Sequence, residues 1–260
     1  MFLGKGLATC GPKGSCLGSR NRASRVTAKF NATTRKGWGA LRRDPEGKEK
    51  SAVQKILGPS PGRLLEVGCG DGRVTGFFTG LCPSICAIDP ESESVARAAD
   101  RHGDNAVFLV GSGENLPLGT NRFDTVVFSL SLHHQEPSRA LAEACRVVRA
   151  GGRILVLEPN PGSLYNRLFR LVHNEDEKYA RVEAALAGCG LRIEDSGTVA
   201  YRWIFEDFAE MSRHFFSYVG TAPGRAGTQA MEKILGTGRN ARPLTVEDIT
   251  NYWMLRLSPC

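Results

Sequence analysis

Residues 64–72 read Leu-Leu-Glu-Val-Gly-Cys-Gly-Asp-Gly, a short apolar run followed by three glycines at alternate positions. The apolar run is typical of a buried strand. The glycines permit a tight turn and allow a ligand to approach bare backbone. A helical pattern follows at residues 73–80. The stretch therefore predicts a strand, a turn that binds a nucleotide-type ligand, and a helix.

The same alternation of apolar runs and helical patterns extends along the chain. Further buried strands are predicted at residues 85–88, 107–110, 124–129 and 153–157. Helices are predicted at residues 46–57, 91–101, 137–148, 178–186 and 204–218, and later strands at 192–201 and 252–257. Strands that alternate with helices at this spacing predict an α/β protein with a parallel sheet covered on both faces. Ligands of such sheets bind at the carboxyl ends of the strands.

One acidic residue follows the second predicted strand. Asp89 lies 19 residues after Gly70, where an acid can accept hydrogen bonds from ribose hydroxyls. Taken alone, Asp89-Pro90 is more typical of a helix cap; together with the strand and the glycine turn, ribose binding is favoured. A dinucleotide fingerprint would place a third glycine where this chain has Arg73, so a pyrophosphate cradle is disfavoured.

Residues 64–159 resemble the core of class I S-adenosylmethionine-dependent methyltransferases, particularly the small-molecule group called type 11. The resemblance rests on four motifs in order: the glycine turn at 64–72, Ala-Ile-Asp-Pro at 87–90, Gly-Glu-Asn-Leu-Pro-Leu at 113–118 followed by Arg-Phe-Asp, and the pair Gly151-Gly152. It implies a Rossmann-like fold with a mostly parallel seven-stranded sheet, helices on both faces and an antiparallel C-terminal hairpin.

The resemblance also implies S-adenosylmethionine as the cofactor. The glycine turn would hold its methionine end, Glu66 would order that turn, and Asp89 would bind the ribose. Ser112 stands where many relatives have an acid near the adenine, and Ala150 stands where proline is usual. The predicted cofactor-binding residues are Glu66, Gly68, Gly70, Gly72, Asp89, Ser112, Gly113, Glu114 and Ser129.

Methyl transfer from a sulfonium is an in-line displacement that chiefly requires alignment of donor and acceptor, so we predict no metal. A base is needed only for a protonated acceptor. His133 and His134, after the fourth strand, and Glu158, after the fifth, are the catalytic candidates. Alternatively, the histidines shape the pocket and Glu158 orients the next loop. The region that normally builds the acceptor pocket contains Tyr165, His173, Tyr201 and Trp203, to which no catalytic role is assigned.

The basic residues of the chain are concentrated at its N-terminus. Ten of the 34 lysines and arginines precede the first acidic residue, Asp44, and the rest of the chain has more acidic than basic residues. Residues 1–45 are therefore predicted to be a basic, disordered extension. A transit peptide, a contact for an anionic partner and a start codon set too far upstream are the alternatives.

A methyltransferase domain is predicted at residues 46–260, with the cofactor half at about 60–159 and acceptor-side and lid elements at about 160–260. No apolar run reaches the roughly 18 residues that a membrane span needs, so a cytoplasmic protein is expected. The cysteines lack C-x-x-C pairs, which predicts neither a disulfide framework nor a structural zinc site. They are Cys10, Cys16, Cys69, Cys82, Cys86, Cys145, Cys189 and Cys260.

The acidic body and the lack of a recognisable RNA-binding module favour a small-molecule acceptor over nucleic acid. Three alternatives remain: a methyltransferase that uses the basic tail to bind RNA or protein, a nicotinamide-dependent oxidoreductase, and a catalytically silent module that keeps the cofactor fold as a partner surface. The target atom and the oligomeric state stay open.

Overall fold

The computed structural model describes residues 42–257. The helices are α1 (Lys48–Leu57), α2 (Thr75–Phe78), α3 (Ser92–His102), α4 (Pro137–Val147), α5 (Leu164–Phe169), α6 (Asp176–Gly188), α7 (Phe208–Ser217) and α8 (Arg225–Leu235). The strands are β1 (Arg42–Arg43), β2 (Arg63–Val67), β3 (Ser84–Asp89), β4 (Val107–Val110), β5 (Phe123–Ser129), β6 (Val148–Pro159), β7 (Arg192–Phe205) and β8 (Leu244–Arg256). Across these residues, no helix has both the length and the apolar character needed to cross a bilayer.

All eight strands form one sheet in the order β1-β7-β8-β6-β5-β2-β3-β4. The five strands from β2 to β6 pair in parallel, whereas β8 and β7 add antiparallel neighbours beyond β6. The predicted Rossmann-like α/β fold is confirmed, with β1 as one more strand than the predicted seven. The strand order reverses between β2 and β5, and this reversal creates a crevice at their carboxyl ends.

Neighbouring residues of the central strands are buried on opposite faces of the sheet. Leu65 of β2 packs with α4 and α6, whereas Leu64 packs with α1 and α2. Val126 and Val127 of β5 divide in the same way. Since strand side chains alternate between faces, a run of apolar residues is stable only where helices cover both sides.

The predicted helix at residues 204–218 is wrong at its start. Burial alternates along β7, where Tyr201, Trp203 and Phe205 are buried, and pairing with β8 continues to Phe205. The helix α7 begins only after Asp207, whose carboxylate accepts a hydrogen bond from the Glu210 backbone N–H at 2.9 Å. The period-two pattern therefore overrides the helical spacing before that cap.

The last residues of the predicted extension contact the fold. Arg42 and Arg43 pair with Ile204 and Trp203 of β7. The carboxylate of Asp44 accepts hydrogen bonds from the backbone N–H groups of Lys48 and Glu49 at 2.9 and 2.8 Å, which fixes the start of α1. The division after residue 45 stays a prediction. The remainder of the predicted extension, residues 1–41, lies outside the described residues.

Candidate active site

A cleft of about 450 Å³ lies at the carboxyl ends of β2, β3 and β5, where the strand order reverses. Two of the predicted cofactor-binding residues, Glu66 and Gly72, lie behind its wall. The other seven line it: Gly68, Gly70, Asp89, Ser112, Gly113, Glu114 and Ser129. The structure therefore brings together residues that are up to about sixty positions apart in the sequence.

The glycine turn leaves backbone open toward the cleft. Gly70 has φ +52°, and a Cβ atom built on it would meet no atom within 4 Å. Its N–H donates to Asp89 Oδ2 at 2.8 Å. Gly68 is different, because a Cβ there would lie 2.2 Å from Ser131 Cβ. Gly70 thus provides an open cradle, and Gly68 permits close packing of the turn against the segment after β5.

Asp89 binds backbone on both sides of the cleft wall and also faces the cleft. Its Oδ2 accepts the Gly70 N–H, and its Oδ1 accepts the Glu91 N–H at 2.9 Å just before α3. The residue also lines the cleft. Because each carboxylate oxygen can accept two hydrogen bonds, both retain a position for a ligand hydroxyl.

Glu66 orders the turn from behind. It is fully buried, and its two carboxylate oxygens accept hydrogen bonds from the hydroxyls of Ser129 at 2.6 Å and Thr75 at 2.5 Å. These bonds join β2 to β5 and to the start of α2. Burial raises the pKa of Glu66 from 4.5 to about 7.

This shift predicts how the stability of the domain depends on pH. Between about pH 4.5 and 7 the folded protein holds a proton on Glu66 that the unfolded chain releases. The contribution of Glu66 to the free energy of unfolding is therefore complete below pH 4.5 and lost as the pH rises through 7. Between these pH values the free energy of unfolding of the wild type should fall by roughly 3 kcal/mol through Glu66, and the Glu66→Gln variant should lack this fall. Urea unfolding at several pH values measures it. Glu177→Gln, an exposed control, should keep the wild-type slope; equal slopes for wild type and Glu66→Gln would contradict the prediction.

A side chain that the sequence did not single out lies on the far wall. The Oε1 atom of Gln135 is buried and has no hydrogen-bond partner among the described residues. Gly113 makes room for it, since a Cβ there would lie 2.1 Å from that oxygen. A bound group carrying an N–H would satisfy Oε1. The open Gly70 backbone, Asp89 and this unpaired oxygen fit a nucleoside with an amino group, such as S-adenosylmethionine.

The three catalytic candidates occupy different places. His134 lines the cleft, and burial together with neighbouring His133 lowers its pKa. His133 is buried and lines a second cavity. Glu158 lines neither cavity; its carboxylate accepts the backbone N–H groups of Leu132 and His133 and contacts His133 Nδ1. Glu158 thus holds His133 in position.

The second cavity, of about 240 Å³, adjoins the cleft. Arg43 and Leu130 line both. Leu130 has φ +58°, a conformation that leucine rarely adopts,. Its N–H donates to Leu157 O at 2.9 Å, which helps to hold the residue there. Strained backbone is therefore kept at the junction between the cavities.

Aromatic side chains form most of the second cavity. The rings of Tyr165 and Trp203 stack with centroids 4.8 Å apart. Tyr165 Oη contacts His214 Nε2 at 2.8 Å. Burial lowers the pKa of His214 to about 4, so this imidazole is neutral at neutral pH. Tyr201 also lines the cavity, whereas His173 lies outside it. Three of the four residues named for this region are therefore brought together.

Asp248 was missed in the sequence and holds this wall together. Its Oδ2 accepts hydrogen bonds from Tyr201 Oη at 2.9 Å and Trp203 Nε1 at 3.0 Å. Asp248 follows the buried positions Leu244 and Val246 in the alternation of β8. An acid at an inward position of an otherwise apolar face was the signal that could have found it.

Arg43 was missed because it belongs to the basic segment that was assigned to the N-terminal extension. Its guanidinium donates to Tyr201 Oη at 2.7 Å and to Glu49 Oε1 at 2.9 Å. It also lies over the rings of Tyr201 and Trp203, at 4.9 and 5.3 Å from their centroids. Its Nε is buried without a hydrogen-bond partner among the described residues. Arg43 therefore offers a donor where the two cavities meet.

Residues 65–156 match the family model described as a methyltransferase domain. An uncharacterized methyltransferase of Mycobacterium tuberculosis is 33% identical over 118 residues, which cover 45% of this chain and 47% of the relative. Human thiol S-methyltransferase is 38% identical over 121 residues, which cover 42% of this chain and 47% of the relative. The chain thus spans about half the length of the curated relatives it matches.

Solved structures share the fold over more of the chain than residues 65–156. An S-adenosylmethionine-dependent methyltransferase from Aquifex aeolicus aligns with a TM-score of 0.54 and 16% identity, covering 82% of this chain and 94% of that one. At such identity the likeness shows the fold alone. Residues 65–156 therefore form the core of a class I S-adenosylmethionine-dependent methyltransferase domain, the cofactor of which is S-adenosylmethionine.

Proposed function

We propose that the protein transfers a methyl group from S-adenosylmethionine to a small molecule bound in the aromatic cavity. The observation that carries this proposal is the meeting of the two cavities at Arg43 and Leu130. A donor in the cleft and an acceptor in the aromatic cavity would face each other across this junction. Such alignment is the main requirement of an in-line displacement.

On the cofactor side, the residues in and behind the wall of the cleft have separate tasks. Asp89 accepts hydrogen bonds from the ribose hydroxyls, Gln135 and Ser112 contact the adenine, and Gly70 leaves room for the methionine end. Glu66 and Gly72 act from behind the wall, Glu66 through its hydrogen bonds and Gly72 by allowing the turn to approach Ala98 of α3. When bound, the cofactor supplies an electrophilic methyl group on a sulfonium.

On the acceptor side, the size and lining of the cavity favour a small, partly apolar acceptor. A volume of about 240 Å³ walled by tyrosine, tryptophan and phenylalanine suits an aromatic or aliphatic group with one polar end,. Arg43 provides a donor for that polar end. An acceptor that carries a proton loses it at the His133 side of the cavity, where Glu158 fixes the imidazole.

The proposal is tested by labelling with S-adenosylmethionine that carries an isotopic methyl group. Full-length protein is incubated with the low-mass, RNA and protein fractions of a cell extract, and the label is followed in each. Label is expected in the low-mass fraction, together with S-adenosylhomocysteine. Label in RNA or protein alone would contradict a small-molecule acceptor. No label in any fraction, despite cofactor binding, would favour the silent binding module.

A truncation separates the contribution of the basic tail. The deletion should end at residue 41, because Arg43 lines both cavities and Asp44 fixes α1. We expect the truncated protein to keep its transfer activity. A loss that is matched by salt-sensitive RNA binding of the full-length chain would instead support a nucleic-acid acceptor.

Tyr218 provides a test of the acceptor cavity that spares the core, because it lines the cavity and is 58% exposed. Replacing Tyr218→Ala should raise the KM for the acceptor from the labelled fraction about threefold to tenfold, the usual worth of an aromatic contact. The affinity for S-adenosylmethionine should not change. Val219→Ala, an exposed neighbour, is the control. An unchanged KM would mean that the acceptor binds elsewhere.

A further inference from the structure

We propose that His133, His134, His173 and Glu175 form a binding site for a divalent transition metal ion of the zinc type. Methyl transfer alone requires no metal, and none was predicted from the sequence. The four side chains come from two segments: the turn after β5 and the loop between α5 and α6. Only the fold brings them together.

The distances between the candidate ligand atoms suit a single ion. Glu175 Oε1 lies 3.4 Å from His173 Nε2 and 3.9 Å from His134 Nδ1, and Glu175 Oε2 lies 3.9 Å from His133 Nε2. One ligand atom each from His133, His134 and Glu175 lie within 4.8 Å of one another. Ligands at about 2.1 Å from a tetrahedral zinc ion are separated by roughly 3.4 Å. Small rotamer changes would bring the ligand atoms of His133, His134 and Glu175 to one ion, whereas His173 lies outside this group and would have to turn toward the ion.

The surroundings of His133 are those of a metal ligand. Glu158 holds its Nδ1 and also accepts its backbone N–H, so Nε2 is the ring nitrogen left toward Glu175. A carboxylate on the far nitrogen fixes the tautomer and the orientation of a ligating imidazole. Both carboxylates are buried, Glu158 at 2% and Glu175 at 8% exposure.

Two further groups contact Glu175 and must be accommodated. Tyr179 Oη donates to its Oε2 at 3.1 Å and can remain while the carboxylate binds a metal. Lys178 Nζ donates to Oε1 at 2.8 Å, where an ion would compete with it. The Lys178 side chain is 39% exposed, so it can turn into solvent. A metal would then replace the lysine as the charge that balances the buried carboxylate.

The ligand set selects the class of ion. Three imidazoles and one carboxylate, without a thiolate, suit zinc, cobalt, nickel or iron(II), whereas magnesium and calcium prefer oxygen ligands. His134 and His173 are exposed, with 56% and 46% of their side-chain surface accessible. Solvent can therefore reach the site. One coordination position remains for a non-protein ligand.

The place of the site suggests its use, and this part rests on the proposed function. His133 lines the acceptor cavity and His134 lines the cofactor cleft, so an ion between them lies where acceptor and donor meet. A bound metal lowers the pKa of a coordinated hydroxyl or thiol. The proton is released to water, the acceptor atom forms a bond to the methyl carbon, and the bond from that carbon to sulfur breaks to leave S-adenosylhomocysteine.

The binding site is tested by titrating the untagged, chelator-treated full-length protein with Zn²⁺ by calorimetry, without cofactor or acceptor. One ion should bind per chain. Glu175→Gln and His173→Ala should each weaken binding at least tenfold, whereas Glu177→Gln and His102→Gln, which change an exposed neighbour and a histidine on α3, should keep wild-type affinity. With Co²⁺, the visible spectrum should show nitrogen and oxygen coordination without a thiolate charge-transfer band.

Absence of saturable Zn²⁺ binding, equal affinity of Glu175→Gln and wild type, or a cobalt–thiolate band would each overturn the metal site. Circular dichroism of every variant shows whether it is folded, and His173→Ala changes only an exposed side chain. Titration of the same samples with S-adenosylmethionine tests the proposed function separately. Failure of that titration with intact Zn²⁺ binding would leave the metal site in place and refute only its role in methyl transfer.

Discussion

Replacing Gly68→Ala should lower the free energy of unfolding by about 2 to 4 kcal/mol and remove measurable S-adenosylmethionine binding. Gly68 has φ +76°, and the new Cβ would lie 2.2 Å from Ser131 Cβ. The Oγ of Ser131 donates to Val67 O at 2.6 Å, so this side chain is held in place. The turn must therefore shift, and with it the backbone that the cofactor approaches.

Gly80→Ala is the matched control for this change. Gly80 has a similar φ of +78°, but a Cβ there would meet no atom within 4 Å. The Gly80→Ala change should lower the free energy of unfolding by only about 1 kcal/mol, the usual penalty for placing alanine at positive φ. Urea unfolding and calorimetric titration of both variants would separate the clash from the backbone strain. Equal losses in the two proteins would mean that Ser131 moves aside and that the turn tolerates a side chain.

Replacing Asp89→Ala should weaken S-adenosylmethionine and S-adenosylhomocysteine binding about a hundredfold or more. Hydrogen bonds to a charged acceptor contribute about 1.5 to 3 kcal/mol each, and Asp89 is proposed to accept two from the ribose. The change also frees Gly70, whose N–H it holds at 2.8 Å. Calorimetry of the purified variant measures the loss.

Two further variants define the cause of that loss. Glu93→Ala changes an exposed acid on α3, the helix that follows Asp89, and should bind the cofactor as wild type does. Asp89→Asn should be intermediate, because its amide nitrogen cannot accept a hydrogen bond. If Asp89→Ala keeps wild-type affinity while folded, the ribose contact is wrong and Asp89 serves only the turn and the start of α3.

The cofactor half was readable from the sequence because its signals are local. Strand, glycine turn and acid lie within residues 64–90, and each acts through the backbone beside it. Buried parallel strands also form continuous apolar runs that stand out without further context. The structure accordingly places Gly68, Gly70 and Asp89 together in the lining of one cleft.

The acceptor half was less readable, because its side chains act across strands and loops. Ile204 has the spacing of a helix residue, but it pairs with Thr245 of β8, forty-one positions away. Arg43 belongs to a basic, acid-free segment, and only its pairing with Trp203 places it between the two cavities. No pattern within a short window records such contacts.

The sequence by itself determined the α/β class, the glycine turn beside the cleft and the methyltransferase motifs of residues 65–156, because these depend on local spacing and on backbone freedom at a few glycines. Only the tertiary structure decided which residues share the aromatic cavity, that Arg42 and Arg43 join the sheet, and that His133 and Glu175 face each other. Those features depend on distances between segments that are remote in sequence. Such distances are set by how the helices and the antiparallel strands pack on the sheet.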